Sequence, residues 1–156
     1  MAAADEFDLG DFLPYLLDRA AEASSRGFVP RYRDRYGMLR TEWRVLFHLG
    51  RHGPMTATAV ARRADIHKTK VSRAVAALEA KRFLVRAPHP DDRRHEVLSL
   101  TGTGASAFRD LLDAARAYDA ALGARFTDAE RTVLRRCLRL LAAGRAAGDA
   151  GTGPAR

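Results

Sequence analysis

Two short helical patterns joined by a very tight connection restrict this chain more than any other feature. In "MTATAVARRADI", Ala57, Val60, Ala61 and Ala64 follow Thr56 at helical spacing, and threonine is a favoured N-cap. In "HKTKVSRAVAALEAK", Val71, Val75 and Leu78 recur at intervals of four and three, which makes one apolar stripe. With His67 as N-cap, Ile66 and Val71 have the spacing of a hydrophobic staple, which fixes the angle at which the chain enters the helix. Two short helices around a turn this tight form a helix-turn-helix.

The other face of the second helix carries Lys68, Thr69, Lys70, Ser72 and Arg73, then the small Ala76 and Ala77. Its first two turns hold no large apolar or acidic residue. Such a surface can enter a DNA major groove about 12 Å wide and present side chains to base edges. The charge distribution agrees. The chain of 156 residues has net charge +8, and residues 62 to 94 hold ten of its 27 basic residues against four of its 19 acids. The first 20 residues are acidic, with five acids against Arg19. Positive charge concentrated in one segment points to a polyanionic partner, double-stranded DNA.

"FLVRA" and "EVLSL" are β-rich runs joined by "PHPDDRRH", which reads as a hairpin directly after the recognition helix, a wing. Its tip carries Arg93 and Arg94, suited to phosphates or a narrow minor groove. Asp92 is expected to steady Arg94 or a neighbouring basic residue. His89, Asp91, Asp92 and His95 are metal-capable types, but a loop without cysteine or a preformed cage makes a poor metal centre. No metal and no cofactor is expected.

Helices flank this core. The first segment runs from about Leu9 to Arg35, with Gly27 and Pro30 expected to bend or split it. "TEWRVLFHLGRHG" follows, with Thr41 as N-cap, Trp43, Leu46, Phe47 and Leu49 as its apolar face, and Gly50, Gly53 and Pro54 ending it. After the wing, Thr101 starts a long helix extending to about Arg125, with Phe108, Leu111, Leu112, Ala115, Leu122 and Phe126 close to one face. "TDAE" (Thr127 to Glu130) is a capping box for a last helix. From Gly144 the Gly- and Ala-rich tail is expected to fray. The fold class is thus mostly α with a small β-hairpin wing. Residues 1–40 form an N-terminal dimerisation helix, 41–101 the winged helix-turn-helix core, 102–147 C-terminal dimerisation helices and 148–156 a flexible tail. Leu9, Phe12 and Leu16, with Leu134, Leu138 and Leu141, are apolar faces that a small winged core cannot cover, so a homodimer is expected.

The segment from Thr41 to Gly104 resembles the winged-helix core of the MarR family of bacterial transcription regulators. The resemblance rests on Asp92-x-Arg94 followed by strand residues and Leu100-Thr101, and on Val71-Ser72-Arg73 with Leu78-Glu79. It implies a homodimer joined through the first and last helices and bound to a pseudo-palindromic operator. It also implies release by a small ligand, commonly a phenolic or aromatic acid, and repression as the commoner outcome. Phe12, Tyr15, Phe28, Trp43 and His48 are candidates for lining such a ligand pocket, with ordinary core packing as their other role. There is one departure in the core: the family has glycine directly after the recognition helix, where Arg82 stands. Either the turn is altered or Arg82 is kept for a phosphate. Peroxide-sensing members use a cysteine in the first helix. Here Cys137, on the last helix, is the single cysteine, so a redox switch is disfavoured and an internal disulfide excluded.

No nucleophile–base pair, phosphate loop or paired carboxylate stands out, so no enzyme is expected. The acidic start "MAAADEFD" lacks a secretory h-region, and no apolar run approaches the ~20 residues of a membrane span, so a cytoplasmic location is expected. A sequence-specific regulator is the favoured class. A nonspecific DNA-architectural winged-helix protein is the alternative, and weak, sequence-independent affinity would distinguish it.

Overall fold

The computed structural model describes residues 7–148, which fall into two compact units, one ending at Ala117 and the other beginning at Tyr118. A short 3-10 turn, Leu9–Asp11, precedes α1 (Leu13–Tyr36). Then come α2 (Arg40–His52), β1 (Met55–Thr56), α3 (Ala57–Ala64), α4 (Lys68–Ala80), β2 (Leu84–Pro88), β3 (Glu96–Leu100), α5 (Gly102–Gly123) and α6 (Asp128–Gly148). No helix among the described residues is long and apolar enough to cross a membrane.

Several local expectations are corrected. α1 runs unbroken through Gly27 and Pro30 and ends at Gly37, whose φ of 61° allows a left-handed cap. The N-cap of α2 is Leu39, which offers no side-chain hydrogen bond, and not Thr41. The inner face of α2 is Val45, Leu46 and Leu49, while Trp43 and Phe47 are half-buried. Gly50 does not end α2. It lies inside the helix, where a Cβ would fall 2.3 Å from the Phe108 ring, so it is the point at which α5 packs closely. Helix α5 stops at Gly123, and Phe126 is exposed. Helix α6 continues past Gly144 to Gly148, while residues 149–156 of the expected tail lie outside the described residues.

Thr56 caps α3 by accepting from the Ala59 N–H at 3.2 Å, and β1 adds a third strand that sequence patterning did not disclose. The antiparallel sheet has the order β1-β3-β2, with Met55 opposite Leu98 and Leu84 opposite Leu100. Val60, Val71, Val75, Leu78, Leu84, Leu98 and Leu111 are almost fully buried, and the stripes of α3 and α4 face inward against α2, each other and the sheet, as their spacing implies. In the second unit the capping box forms as expected. Thr127 Oγ1 accepts from the Glu130 N–H at 3.3 Å, and Glu130 Oε2 accepts from the Thr127 N–H at 2.8 Å.

The turn after α4 fastens the first unit together. Arg82 adopts φ 61°. Its N–H donates to the Glu79 carbonyl and the Phe83 N–H to the Leu78 carbonyl, each at 2.9 Å, which is a Schellman closure. The departure from glycine therefore leaves the turn intact at a cost of about 1 kcal/mol. The Thr101 hydroxyl donates to the Arg82 carbonyl at 2.7 Å and its N–H to the Phe83 carbonyl at 3.1 Å. The same hydroxyl caps α5 by accepting from the Gly104 N–H at 3.0 Å.

An aromatic run joins α1, α2 and α5. Phe28 meets Trp43 at 5.2 Å between ring centroids, Trp43 meets Phe47 at 5.4 Å, and Phe47 meets Phe108 at 5.6 Å. Beside it, His48 stacks on His52 at 5.9 Å, and its Nδ1 is buried with no hydrogen-bond partner. Burial, then the charges of His52, Arg44 and Arg63, hold its pKa below the ordinary 6.5.

Two consequences are testable. A Cβ at Gly104 would lie 1.9 Å from the Phe83 carbonyl oxygen, so Gly104→Ala should destabilise the fold by about 3 kcal/mol in urea unfolding. Because the folded state resists protonating His48, the unfolded chain takes up its proton first as pH falls below about 6.5, and stability is lost through that window. His48→Leu should flatten the fall in stability between pH 7.5 and 5.5, measured by denaturation at each pH.

Candidate nucleic-acid interface

The connection between α3 and α4 is three residues long, and each has a local job. Asp65 closes α3 in the left-handed region at φ 49°, and the Ile66 N–H donates to the Ala61 carbonyl at 3.0 Å. His67 caps α4, its Nδ1 accepting from the Thr69 N–H at 3.3 Å. The acceptor nitrogen is therefore the unprotonated one. With Val71, Ala74, Val75 and Leu78 buried, the helix has one possible orientation. His67, Lys68, Thr69, Lys70, Ser72 and Arg73 are all left exposed on its outer side.

The wing is built from the same hairpin. Its strands pair through to Pro88 opposite Glu96, and the loop beyond is closed by the His89 N–H donating to the His95 carbonyl at 2.8 Å. Asp92 Oδ1 accepts from the backbone N–H of Arg94 at 3.0 Å, and Asp92 Oδ2 faces His95 Nε2 at 3.7 Å. Asp92 thus shapes the backbone that carries Arg94; it does not hold the guanidinium. His89 Nδ1 accepts from the Asp91 N–H at 3.2 Å. Of the four metal-capable side chains, those of His89, Asp92 and His95 make local loop contacts, and among the described residues no three such groups converge.

Basic side chains in this region divide into two sets. Arg86, on β2, donates to Glu79 of α4 at 3.0 Å and faces Glu96 of β3 at 3.4 Å, tying the root of the wing to the recognition helix. Lys81 pairs with Glu42 at 2.5 Å. By contrast, Arg62, Arg63, Lys68, Lys70, Arg73, Arg82, Arg93 and Arg94 are exposed, and among the described residues none has a carboxylate partner. Five of them, Lys68, Lys70, Arg73, Arg93 and Arg94, project from the recognition helix and the wing tip with their charge uncompensated. The Arg86–Glu79 brace and the Lys81–Glu42 pair were not anticipated from sequence. The i to i+7 relation of Glu79 and Arg86 spans a helix end and a strand, where no helical or strand periodicity applies.

The five aromatic-pocket candidates do not come together as a set. Phe28 and Trp43 touch within the core run described above, and His48 lies on the same helix as Trp43. Phe12 pairs with Phe7 at 5.3 Å, and Tyr15 lies under Arg19 at 5.7 Å. A groove of about 640 Å³ between α1 and α5 is lined by Gly27, Pro30, Arg31, Asp34, Arg35, Asp110, Asp113 and Ala114, none of them a candidate. At its edge the Tyr36 hydroxyl donates to Asp110 at 2.7 Å; burial and this carboxylate raise the tyrosine pKa. In the first unit Leu9, Phe12 and Leu16 are 40–50% exposed, and in the second so are Leu134, Leu138 and Leu141. Cys137 is exposed as well.

The sequence profile of the MarR family matches residues 36–95, from the end of α1 through the wing tip. The crystal structure of the MarR family transcriptional regulator SPO1453 from Silicibacter pomeroyi is 30% identical, covers 87% of this chain and 99% of that one, and superposes with a TM-score of 0.72. BpsR of Bordetella bronchiseptica, whose DNA binding is regulated by 6-hydroxynicotinic acid, superposes with a TM-score of 0.80 at 21% identity over 87% and 96% of the two chains. PcaV of Streptomyces coelicolor, solved with its natural ligand, gives 0.75 at 21% over 91% and 97%. At those identities the last two speak to fold alone. A Thauera aromatica protein named as a transcriptional regulatory protein for an hcr operon is 30% identical over 99 residues, 64% of this chain but 55% of its own length, so the match spans about half of that relative. Profile, full-length likeness and winged-helix architecture agree: the chain belongs to the MarR family of transcriptional regulators.

Proposed function

We propose that this protein is a sequence-specific regulator that binds a pseudo-palindromic operator as a homodimer and represses transcription until a small aromatic or phenolic ligand releases it. One observation carries the DNA-reading part. The recognition helix presents exposed Lys68, Thr69, Lys70, Ser72 and Arg73, beside a wing with exposed Arg93 and Arg94, and none of these cations has a carboxylate partner among the described residues. Exposed cations without an acid occur elsewhere too, Arg40 and Arg51 of α2 among them, so what distinguishes this set is its placement together on one helix and an adjoining hairpin tip. A coherent uncompensated set on a helix and an adjoining hairpin is what a phosphate backbone neutralises.

Roles within the set follow from placement. Arg73, on the outer face of α4, suits bidentate bonding to a guanine edge, while His67, Lys68, Thr69, Lys70 and Ser72 reach phosphates or bases around it. Arg93 and Arg94 contact phosphate or the minor groove from the wing, and Asp92 holds the loop that presents them. The exposed leucines of α1 and α6 support the dimer. The ligand-regulated DNA binding of BpsR and the ligand complex of PcaV support release by a small molecule. Phe28, Trp43 and His48 are the residues of this chain best placed for an aromatic effector, because the orphaned Nδ1 of His48 offers it a hydrogen bond beside an aromatic wall.

Selection of binding sites from random duplexes should return an inverted repeat with half-sites about 10 bp apart, or a small multiple of that. Footprinting upstream of the gene should protect the same sequence, and sedimentation should give a dimer at micromolar concentration. Recovery of unrelated sequences with similar affinity would mean architectural binding instead. Within the site the two arginines should separate. Arg73→Ala should cost about 1–3 kcal/mol and relax preference at one base position in each half-site. Arg94→Ala should weaken operator and scrambled duplexes alike and make the salt dependence shallower, by about one phosphate contact per subunit. Asp92→Ala should reproduce part of the Arg94→Ala loss, measured in the same salt series.

A further inference from the structure

Glu42 is the one charged residue that is buried among the described residues, at 4% exposure. It sits on α2, directly beneath the recognition helix. A carboxylate there must find a cation, because an unpaired buried charge is strongly destabilising. Three basic side chains stand along the edge of α4 nearest it: Lys70 and Arg73, at the border of the exposed face, and, past the last turn, Lys81. Spacings of three and eight residues keep them on one side of the helix. Lys70 and Arg73 line, with Glu42, a groove of about 310 Å³ between α2 and α4. Only Lys81 takes the carboxylate, with its ammonium 2.5 Å from Glu42 Oε2 and 2.6 Å from the Gly37 carbonyl oxygen.

We infer that Lys81 is a positioning residue for DNA reading: by neutralising Glu42 it leaves Arg73 and Lys70 projecting outward. Without its ammonium, the carboxylate draws the next cation along that edge into the groove, and a DNA-facing charge turns inward. The geometry fits a dedicated counter-ion. Lys81 stands at the C-cap, away from the leading turns proposed to enter the groove of DNA, and its side chain is two-thirds covered. The Gly37 carbonyl, at the left-handed cap of α1, supplies a second acceptor that holds the ammonium when it is on Glu42. The inference rests on the proposal that α4 reads DNA.

The test is a pair of mutant cycles on operator affinity, using the operator selected by the wild-type protein and a scrambled duplex of equal length. Variants are compared as folded dimers, checked by circular dichroism and sedimentation. Lys81→Met should weaken operator binding about 10-fold, as should Arg73→Ala, yet the two together should be little worse than either alone. The same should hold for Lys70→Ala if Lys70 is the cation drawn in. Glu42→Gln added to Lys81→Met should restore operator affinity to within about 3-fold, because nothing is left to recruit the other cations. A purely structural ion pair would let Glu42→Gln recover the melting temperature while the Lys81 and Arg73 losses still multiplied, which overturns the inference. Equal loss on scrambled DNA with a shallower salt slope and no recovery by Glu42→Gln makes Lys81 a phosphate contact, and overturns it too. If Lys81→Met does not fold, Lys81→Gln, which keeps a donor for both acceptors, carries the same two cycles. Failure of the wild-type protein to select any operator would refute the DNA-reading proposal itself, and is visible before any variant is made.

Discussion

The left-handed turn at Arg82 is the constraint through which the rest of the first unit is arranged. Its two backbone bonds end α4, and the carbonyls it turns outward receive Thr101, which starts α5. The missing Cβ of Gly104 lets α5 lie against the Phe83 carbonyl. One residue earlier, the Lys81 side chain reaches back to Glu42 and to the cap of α1. Four helices and the sheet therefore take their relative positions from three consecutive residues, Lys81, Arg82 and Phe83. A non-glycine residue in that conformation costs about 1 kcal/mol, small against the contacts it organises.

Most of the first unit was legible in the sequence because it is encoded locally. The caps at Thr56, His67 and Thr101, the stripe Val71–Val75–Leu78 and the β-rich runs of the hairpin all concern residues close to each other in sequence. What escaped was long-range or context-dependent. Strand β1 has two residues, too short for any period, and exists only because β3 has an edge to offer Met55 and Thr56. Leu39 displaces Thr41 as the start of α2 because the chain leaves the Gly37 cap already extended, with φ −83° and ψ 164° at Leu39. Gly50 looked like a helix end, but its lack of a side chain serves the Phe108 ring, 58 residues away in sequence.

The interface was legible as a set of residues but not as a division of labour. Ten basic residues between positions 62 and 94 look equivalent in composition. Folding separates them. Arg86 and Lys81 are consumed by Glu79, Glu96 and Glu42, and they fix the wing and the recognition helix in place. The other eight, Arg62, Arg63, Lys68, Lys70, Arg73, Arg82, Arg93 and Arg94, have no carboxylate partner among the described residues, and five of them stand on the recognition helix and the wing tip. Net charge alone would have credited all of them to DNA. Glu79 within the basic segment, with Glu42 and Glu96 outside it, determines which cations are structural, while Asp65, Asp91 and Asp92 pair with no lysine or arginine among the described residues.

Recognition helix and wing differ in how firmly they are held, and that difference bears on how each would read DNA. Helix α4 buries four side chains in the core and is pinned at both ends, by His67 and by the Arg82 turn. A rigid helix suits base edges, where a displacement of an ångström removes a bidentate bond. Beyond Pro88 and Glu96 the wing tip has only its own bonds, those of His89, Asp92 and His95, all exposed. Exposed local bonds contribute little stability individually, so the tip can adjust to a phosphate or a groove of variable width. The brace from Arg86 to Glu79 sits at the root of that lever. It keeps the wing on the same side as the recognition face while leaving Arg93 and Arg94 free to accommodate the backbone they meet.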